Sequence, residues 1–349
     1  MTPEISASNA HLFAPRDVYR FRPIAEPAAV SYDPTAGHNP PYGAPINFYL
    51  KSKLAEKERM HVTIGDANGK TVREFECRAA TEGARRPPGP GGPGGGGGGG
   101  EGGEDGPPCE VKPGMNRVWW NLRSEPGTEF RLRTSPLYAP DVKPGPEGWR
   151  QAPDAGRISL LEPPGTYTVT LTVGEEKFTQ KLNVLKDPHS GGTESDIQTQ
   201  MQFLAGLRDE MNSIGASVNQ IETIRAQLAA LQKELGNDDA GKAIRKAADD
   251  LADKLVAVEG KVLQLKLTGR GQDSTRWPPM LASKIGYLAN ETSSSDFAPT
   301  TQQLAVGKEL KDQGDQFQQE YQQILAKDVT PFNAMLREKN IPNIIVTMP

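Results

Sequence analysis

The sequence predicts an α+β protein of two parts, a β-sandwich followed by an antiparallel α-helical bundle. Apolar and polar residues alternate over residues 44–186, which is the period of half-buried strands. Apolar residues recur at spacings of three and four over residues 193–335, which is the period of amphipathic helices. We predict four units, namely an irregular Pro-rich segment (1–43), the sandwich (44–186), the bundle (193–335) and a C-terminal tail (336–349). The polar stretch DPHSGG at 187–192 is the expected hinge.

The strand pattern is clearest in GTYTVTLTV, at residues 165–173. Its alternate positions place one apolar face toward a core and leave threonines on the other face. These apolar positions are Tyr167, Val169, Leu171 and Val173. Short strands of this kind, separated by glycine-containing turns such as Ala-Asn-Gly at 67–69, are typical of a β-sandwich.

A glycine- and proline-rich stretch at residues 87–108 interrupts the strand region. It has almost no side chains to bury, and ordering it would cost much chain entropy, so we expect a disordered loop inserted between two strands. A phosphate-binding loop would need a following helix and a GKS or GKT ending, and both are missing.

The helical region contains four predicted helices. The first covers about 193–235, where residues 236–239 (Gly-Asn-Asp-Asp) end it and begin the second. The third starts after the prolines at 278–279, and the fourth after the threonines at 300–301. The short connection between the first two predicts that they run antiparallel. We expect the fourth to face inward with Leu304, Leu310, Phe317, Tyr321 and Ile324.

Composition narrows the classes of partner. The 349 residues include 40 Lys plus Arg and 44 Asp plus Glu, a net charge of −4, which argues against a dedicated nucleic-acid binder. No apolar run is long enough to predict a membrane span. The first residues, MTPEISASNAHLFAP, do not have the basic and apolar regions of a signal peptide.

The sequence offers no candidate catalytic, cofactor-binding or metal-binding residue. The histidines are scattered without metal-ligand spacing, at His11, His38, His61 and His189. Acidic pairs such as Asp238-Asp239 are explained by helix capping, and no serine stands in a GxSxG motif.

Two small groups of residues remain as candidate sites. Cys77 and Cys109 bracket the glycine-rich stretch, and they are either a disulfide at the base of the loop or two unrelated thiols. Export favours the disulfide and a reducing cytosol disfavours it. Trp119, Trp120 and Tyr42 are a candidate binding surface, although such aromatics more often fill a sandwich core.

Three motifs carry a resemblance to a known family. The segments VTIGDANGKTVREF, GMNRVWWNLR and PPGTYTVTLTVGEEKFTQKLNV resemble the immunoglobulin-like domain of the flagellar hook-capping type. NPPYGAPINFYLKS, QMQFLAGLRDEMN, SVNQIETIR and SSDFAPT are similar to the C-terminal region of large bacterial BNR-repeat, sortilin-like β-propeller proteins labelled glycosyl hydrolases. The BNR signature Ser-x-Asp-x-Gly-x-x-Trp is absent from this chain.

The resemblance implies a non-catalytic accessory region that supports or docks a β-propeller of the same or a neighbouring polypeptide. A protein or glycan ligand, and an extracytoplasmic (periplasmic or secreted) location, are implied in the same way. The chain would then be the C-terminal part of a longer exported protein. One alternative is part of a glycosyl hydrolase whose catalytic propeller lies outside this chain. Another is an adhesin or scaffold whose long helices pair with a second chain.

Overall fold

The structure is a computed structural model that describes residues 2–22, 41–55, 58–80 and 109–346. The predicted disordered loop at 87–108 lies outside the described residues, as does most of the second half of the Pro-rich segment. Within the described residues the chain is mixed α and β, with a two-sheet part followed by a helical part.

After a short helix α1 (Pro3–Ala7), eleven strands are found among the described residues. In chain order they are β1 (Ala10–Leu12), β2 (Val18–Arg20), β3 (Ala44–Leu50), β4 (Met60–Gly65), β5 (Thr71–Ala79), β6 (Cys109–Val111), β7 (Gly114–Trp120), β8 (Arg131–Leu132), β9 (Arg150–Gln151), β10 (Gly165–Val173) and β11 (Glu176–Lys186). One sheet has the order β1-β3-β7 and the other β2-β11-β10-β4-β5-β6. The strands β8 and β9 form a separate ribbon.

The two larger sheets share one apolar core. Alternate residues of β3, β4 and β10 are buried, as the period-two pattern predicts, and they meet buried residues of β7 and β11 in a single cluster. Trp120 and Phe48 are among its largest members, and both are fully buried.

The N-terminal segment is not irregular as predicted. β1 pairs antiparallel with β3 in the smaller sheet, and β2 pairs parallel with β11 at an edge of the larger sheet. These strands have only three residues each, so their sequence pattern is too short to be distinguished from a loop. They form because two sheet edges are available to accept their backbone hydrogen bonds.

The helices follow the two-sheet part. They are α2 (Glu194–Glu234), α3 (Asp239–Glu259), α4 (Asp273–Arg276), α5 (Leu281–Ser293), α6 (Thr301–Ile324) and α7 (Thr330–Glu338), with a π-helical turn at Leu325–Val329 between the last two. α2 begins with a capping box in which the side chains of Thr193 and Asp196 bond each other's backbone N–H groups. The side chain of Asp238 caps α3, and that of Thr300 caps α6.

The predicted boundary between the two parts needs a correction. Residues assigned to the sandwich between positions 130 and 160 instead pack into the helical core, and the ribbon β8–β9 contacts α2. They are Phe130, Leu132, Ala152, Ile158 and Leu160. The reason is that α2 has 41 residues, and its apolar side chains extend beyond the surface that the other helices cover. The segment between residues 130 and 160 packs on those remaining apolar side chains of α2.

The inward face of α6 and the C-terminal tail also differ from the prediction. Leu304 is 47% exposed, because the face of α6 that meets α2 follows Gly307, Leu310, Gly314, Phe317 and Tyr321. The tail assigned to 336–349 begins within α7, and its Ile344 is buried in the helical core.

Candidate functional site

Of the three aromatic residues predicted as a binding surface, Trp120 is fully buried. Its Nε1–H donates to the carbonyl oxygen of Arg123 at 2.8 Å, and its ring meets that of Tyr167 edge to face at 5.1 Å between centroids. Trp120 is therefore a core residue with a satisfied donor, and it offers no surface to a ligand.

Tyr42 packs against the same core from its margin, and the Phe21 backbone N–H donates to its hydroxyl at 3.2 Å. Burial raises the pKa of Tyr42. Trp119 lies on the opposite face of β7 from Trp120 and is half-buried, with the guanidinium of Arg117 5.5 Å from its ring centroid. The structure does not bring the three rings together on one open surface.

The two cysteines are neighbours in the larger sheet. Cys77 of β5 and Cys109 of β6 occupy paired positions on parallel strands, with Cα atoms 4.4 Å apart, and their sulfur atoms are joined in a disulfide. Both lie at the base of the segment whose middle is outside the described residues. The bond links the last two strands at one edge of this sheet.

A buried charge cluster joins the N-terminal segment to the helical part. Arg20 and Arg22 both donate through Nη1 to Oδ1 of Asp296, which lies in the connection between α5 and α6. Arg22 Nε donates to the carbonyl oxygen of Ser293 at 2.6 Å, and Arg20 Nε to that of Glu162 at 2.9 Å. These contacts bind β2 to the helices across 276 residues of sequence.

The electrostatics of this cluster favour an ionised Asp296. Burial raises the pKa of its carboxyl, but hydrogen bonds from Arg22, Ser190 and Arg20 outweigh burial and lower the pKa to about 2. Burial lowers the pKa of Arg20, which its hydrogen bond and attraction to Asp296 oppose. We name the group of Arg20, Arg22 and Asp296 the Asp296 latch.

A second buried cluster lies between α2, α3 and the ribbon. Four donors converge on Glu222, whose Oε2 accepts from the backbone N–H groups of Arg133 and Thr134, and whose Oε1 accepts from Thr134 Oγ1 at 2.8 Å and Arg225 Nη1 at 2.5 Å. Arg225 Nη1 also donates to Oε2 of Glu259 at 2.6 Å. One guanidinium thus bridges two carboxyl groups that are at most 1% exposed.

Glu259 differs from Glu222 in its surroundings. Its Oε1 is buried and receives no hydrogen-bond donor from the part of the chain that the structure describes. Its carboxyl shares the single guanidinium of Arg225 with that of Glu222, so the two acids lie close together in a buried site. Burial, and secondarily the charge of Glu222, raise the pKa of Glu259 well above its usual value. We name this group the Glu259 cluster.

An open groove of about 630 Å³ lies between α2, α5 and α6. Apolar side chains such as Phe203 and Ile285 line it, and Lys308 and Lys311 stand among its polar residues. Gly307 allows the close approach of the helices here, since a Cβ at that position would lie 2.7 Å from the ring of Phe203. Gly206, on the wall formed by α2, leaves open space beside its backbone.

The described residues contain no group of three or more His, Cys, Asp or Glu side chains that could hold a metal ion. None of the described helices combines the length and apolar character that crossing a membrane requires. Comparisons with protein-family models, with curated protein sequences and with solved structures find no match for this chain.

Sequence reasoning did not identify either buried charge cluster. Arginine in the segment VYRFRP and glutamate on the long helix are ordinary surface residues by pattern. The one available signal was Glu222, which stands between Ile221 and Ile224 on the apolar side of α2. A charged residue there requires a buried partner.

Proposed function

We propose that this chain is a non-catalytic interaction region, an immunoglobulin-like sandwich coupled to an antiparallel helical bundle, which supports or docks a BNR-type β-propeller. The observation that carries this proposal is that buried contacts join the sheets to the helices. The Asp296 latch and the segment between residues 130 and 160 tie the sheets to the helices, as a rigid support requires.

Three features support the immunoglobulin-like assignment. The N-terminal strands are divided between the sheets, and β2 runs parallel to the last strand, β11. The hydroxyl of Tyr167, near the start of β10, donates to the carbonyl oxygen of Pro163 at 2.7 Å, which matches the tyrosine corner of such domains. The ring of the same tyrosine packs on the buried Trp120.

Side-chain contacts between α2 and α3 support the antiparallel arrangement of these two helices. Arg225 pairs with Glu259, and further along α2 Gln232 donates to Asp249, earlier in α3. The contact position therefore advances along one helix as it recedes along the other.

An extracytoplasmic location belongs to the same proposal. The Cys77–Cys109 disulfide supports it, because structural disulfides persist in oxidising compartments and are rare in the cytosol.

We propose the groove between α2, α5 and α6 as the contact surface for the propeller. The first step of the test is a search of the adjacent DNA for a reading frame that encodes Ser-x-Asp-x-Gly-x-x-Trp repeats. The encoded propeller is then co-expressed with this chain and the pair is run on a size-exclusion column. We expect co-elution with the parent chain.

Gly206→Arg is the decisive variant, because the added side chain enters the groove from a position with open space around it. Gly156→Arg, on an exposed loop and equally unobstructed, is the matched control. Loss of co-elution with the first variant alone supports the proposal. Separate elution of the parent proteins, or equal effects of the two variants, contradicts it. Glycan cleavage by the complex would favour the hydrolase alternative.

A further inference from the structure

Two exposed aromatic rings flank a lysine on a surface that the proposed docking role does not use. Lys266 Nζ lies 4.1 Å from the ring centroid of Trp277 and 5.9 Å from that of Tyr138. The rings come from two loops, which a hydrogen bond from the Leu137 N–H to the carbonyl oxygen of Leu265, 2.8 Å long, holds together.

Tyr138 is not explained by packing. Its side chain is 87% exposed, the largest exposure among the large hydrophobic residues that the structure describes. Its backbone φ is +67°, a left-handed conformation that is unfavourable for a bulky residue. The other non-glycine residues of positive φ in the described ranges are Leu122, which is buried, and Asn340, which follows α7. Strained backbone conformations of this kind cluster at active sites and ligand-binding positions.

Lys266 supplies a charge to this surface. Among the described residues no carboxylate forms an ion pair with its ammonium and no oxygen accepts a hydrogen bond from it. The ammonium lies near the two aromatic rings instead. Nearby, Arg270 forms an exposed ion pair with Asp141 at 2.9 Å, whereas Lys266 lies directly between the two rings.

The combination selects a class of ligand. An aromatic face packs well on the C–H face of a sugar ring, and an ammonium beside it favours a substituent with negative charge. Trp277, 37% exposed, and Tyr138 offer two such faces on either side of Lys266. A neutral ligand would leave the ammonium without a partner of opposite charge.

We propose that Tyr138, Lys266 and Trp277 form a binding site for an acidic sugar residue of a glycan, with its carboxylate on the Lys266 ammonium and its ring on the aromatic faces. This inference does not depend on the docking of a propeller, because the chain is assayed by itself. The other reading of the same contacts is an internal clamp between two loops.

The test uses a galacturonate hexamer as the probe and cellohexaose as the neutral probe of equal length. Binding is measured by isothermal titration calorimetry and by quenching of tryptophan fluorescence. We expect the parent chain to bind the acidic hexamer more tightly. Tyr138→Ala and Trp277→Ala should each weaken that binding at least about fivefold, the lower end of the loss expected from one stacking contact.

Lys266→Met should remove the preference for the acidic probe, and Lys266→Arg should retain it. Tyr287→Ala is the matched control, since Tyr287 is 69% exposed on α5, outside this site, and its replacement should change neither affinity. Absence of binding of the acidic hexamer to the parent chain at millimolar concentration would overturn the proposal. Unchanged affinity in Tyr138→Ala and Trp277→Ala, or an equal loss in Tyr287→Ala, would do the same.

Discussion

Replacement of Glu259 by glutamine should flatten the pH dependence of stability and make the protein more stable above neutral pH. In the native state Glu259 is fully buried, and burial is the largest cause of its raised pKa, followed by the charge of Glu222. Glutamine keeps an oxygen that accepts from Arg225, and it places no second charge beside Glu222. The variant therefore preserves the contacts of the protonated acid without its titration.

The magnitude follows from proton linkage. In the unfolded chain a glutamate releases its proton near pH 4.3, whereas the native Glu259 retains it to a higher pH. Between these two pKa values the native state binds more protons than the unfolded state. The free energy of unfolding must then fall as pH rises, by up to about 1.4 kcal/mol per pH unit. Below the unfolded pKa the contribution is fully present.

The assay is urea-induced unfolding of the parent and of Glu259→Gln at pH 5, 6, 7 and 8. Near pH 5 the two should differ by less than about 1 kcal/mol, since the hydrogen bond from Arg225 is conserved. With increasing pH the difference should grow in favour of the variant. Glu291→Gln, on the exposed surface of α5, controls for the general loss of one negative charge.

Two results would refute the reasoning. Parallel curves of stability against pH for the parent and Glu259→Gln would show that Glu259 does not titrate between these values. A loss of about 3–5 kcal/mol at every pH would show that it is an ionised partner of Arg225, since that is the cost of breaking a buried ion pair.

Three further perturbations test the fold. Gly43→Ala should lower Tm far more than Gly69→Ala, although both positions have positive φ. A Cβ at Gly43 would lie 2.0 Å from the Trp120 carbonyl oxygen, whereas a Cβ at Gly69 would meet nothing within 4 Å. Equal losses of Tm in the two variants would reject this steric clash. Asp296→Asn should lower the free energy of unfolding by about 2 kcal/mol at pH 7. This difference should shrink as pH falls from 4 toward 2, because the native pKa of Asp296 is about 2. Chemical denaturation of both proteins across that pH range measures the difference, and a constant difference would contradict the prediction. Reduction of the Cys77–Cys109 disulfide should lower the free energy of unfolding by roughly 3–4 kcal/mol, because the unfolded chain gains loop entropy. Chemical denaturation with and without reductant measures this loss. An unchanged midpoint would reject a stabilising role of the disulfide.

The features that the sequence alone predicts depend on interactions between residues close together in the chain. The start of α2 at Thr193, the cap of α3 at Asp238 and the cap of α6 at Thr300 depend on hydrogen bonds within a few residues, so their pattern is visible in the chain. The alternation in β10 likewise reflects the pleat of a single strand. By contrast, the sequence left open whether Cys77 and Cys109 are bonded, because their pairing depends on β6, a strand of only three residues beside β5.

Tertiary structure decided the features with the largest electrostatic consequences. Arg20 meets Asp296 across 276 positions, and Glu222 receives its ribbon donors across about 90, distances at which no local period carries information. The same holds for the pairing of Tyr138 with Trp277 around Lys266, which only the meeting of two loops produces. Burial of charge depends on the whole fold, because a side chain loses its water only when elements distant in sequence close over it.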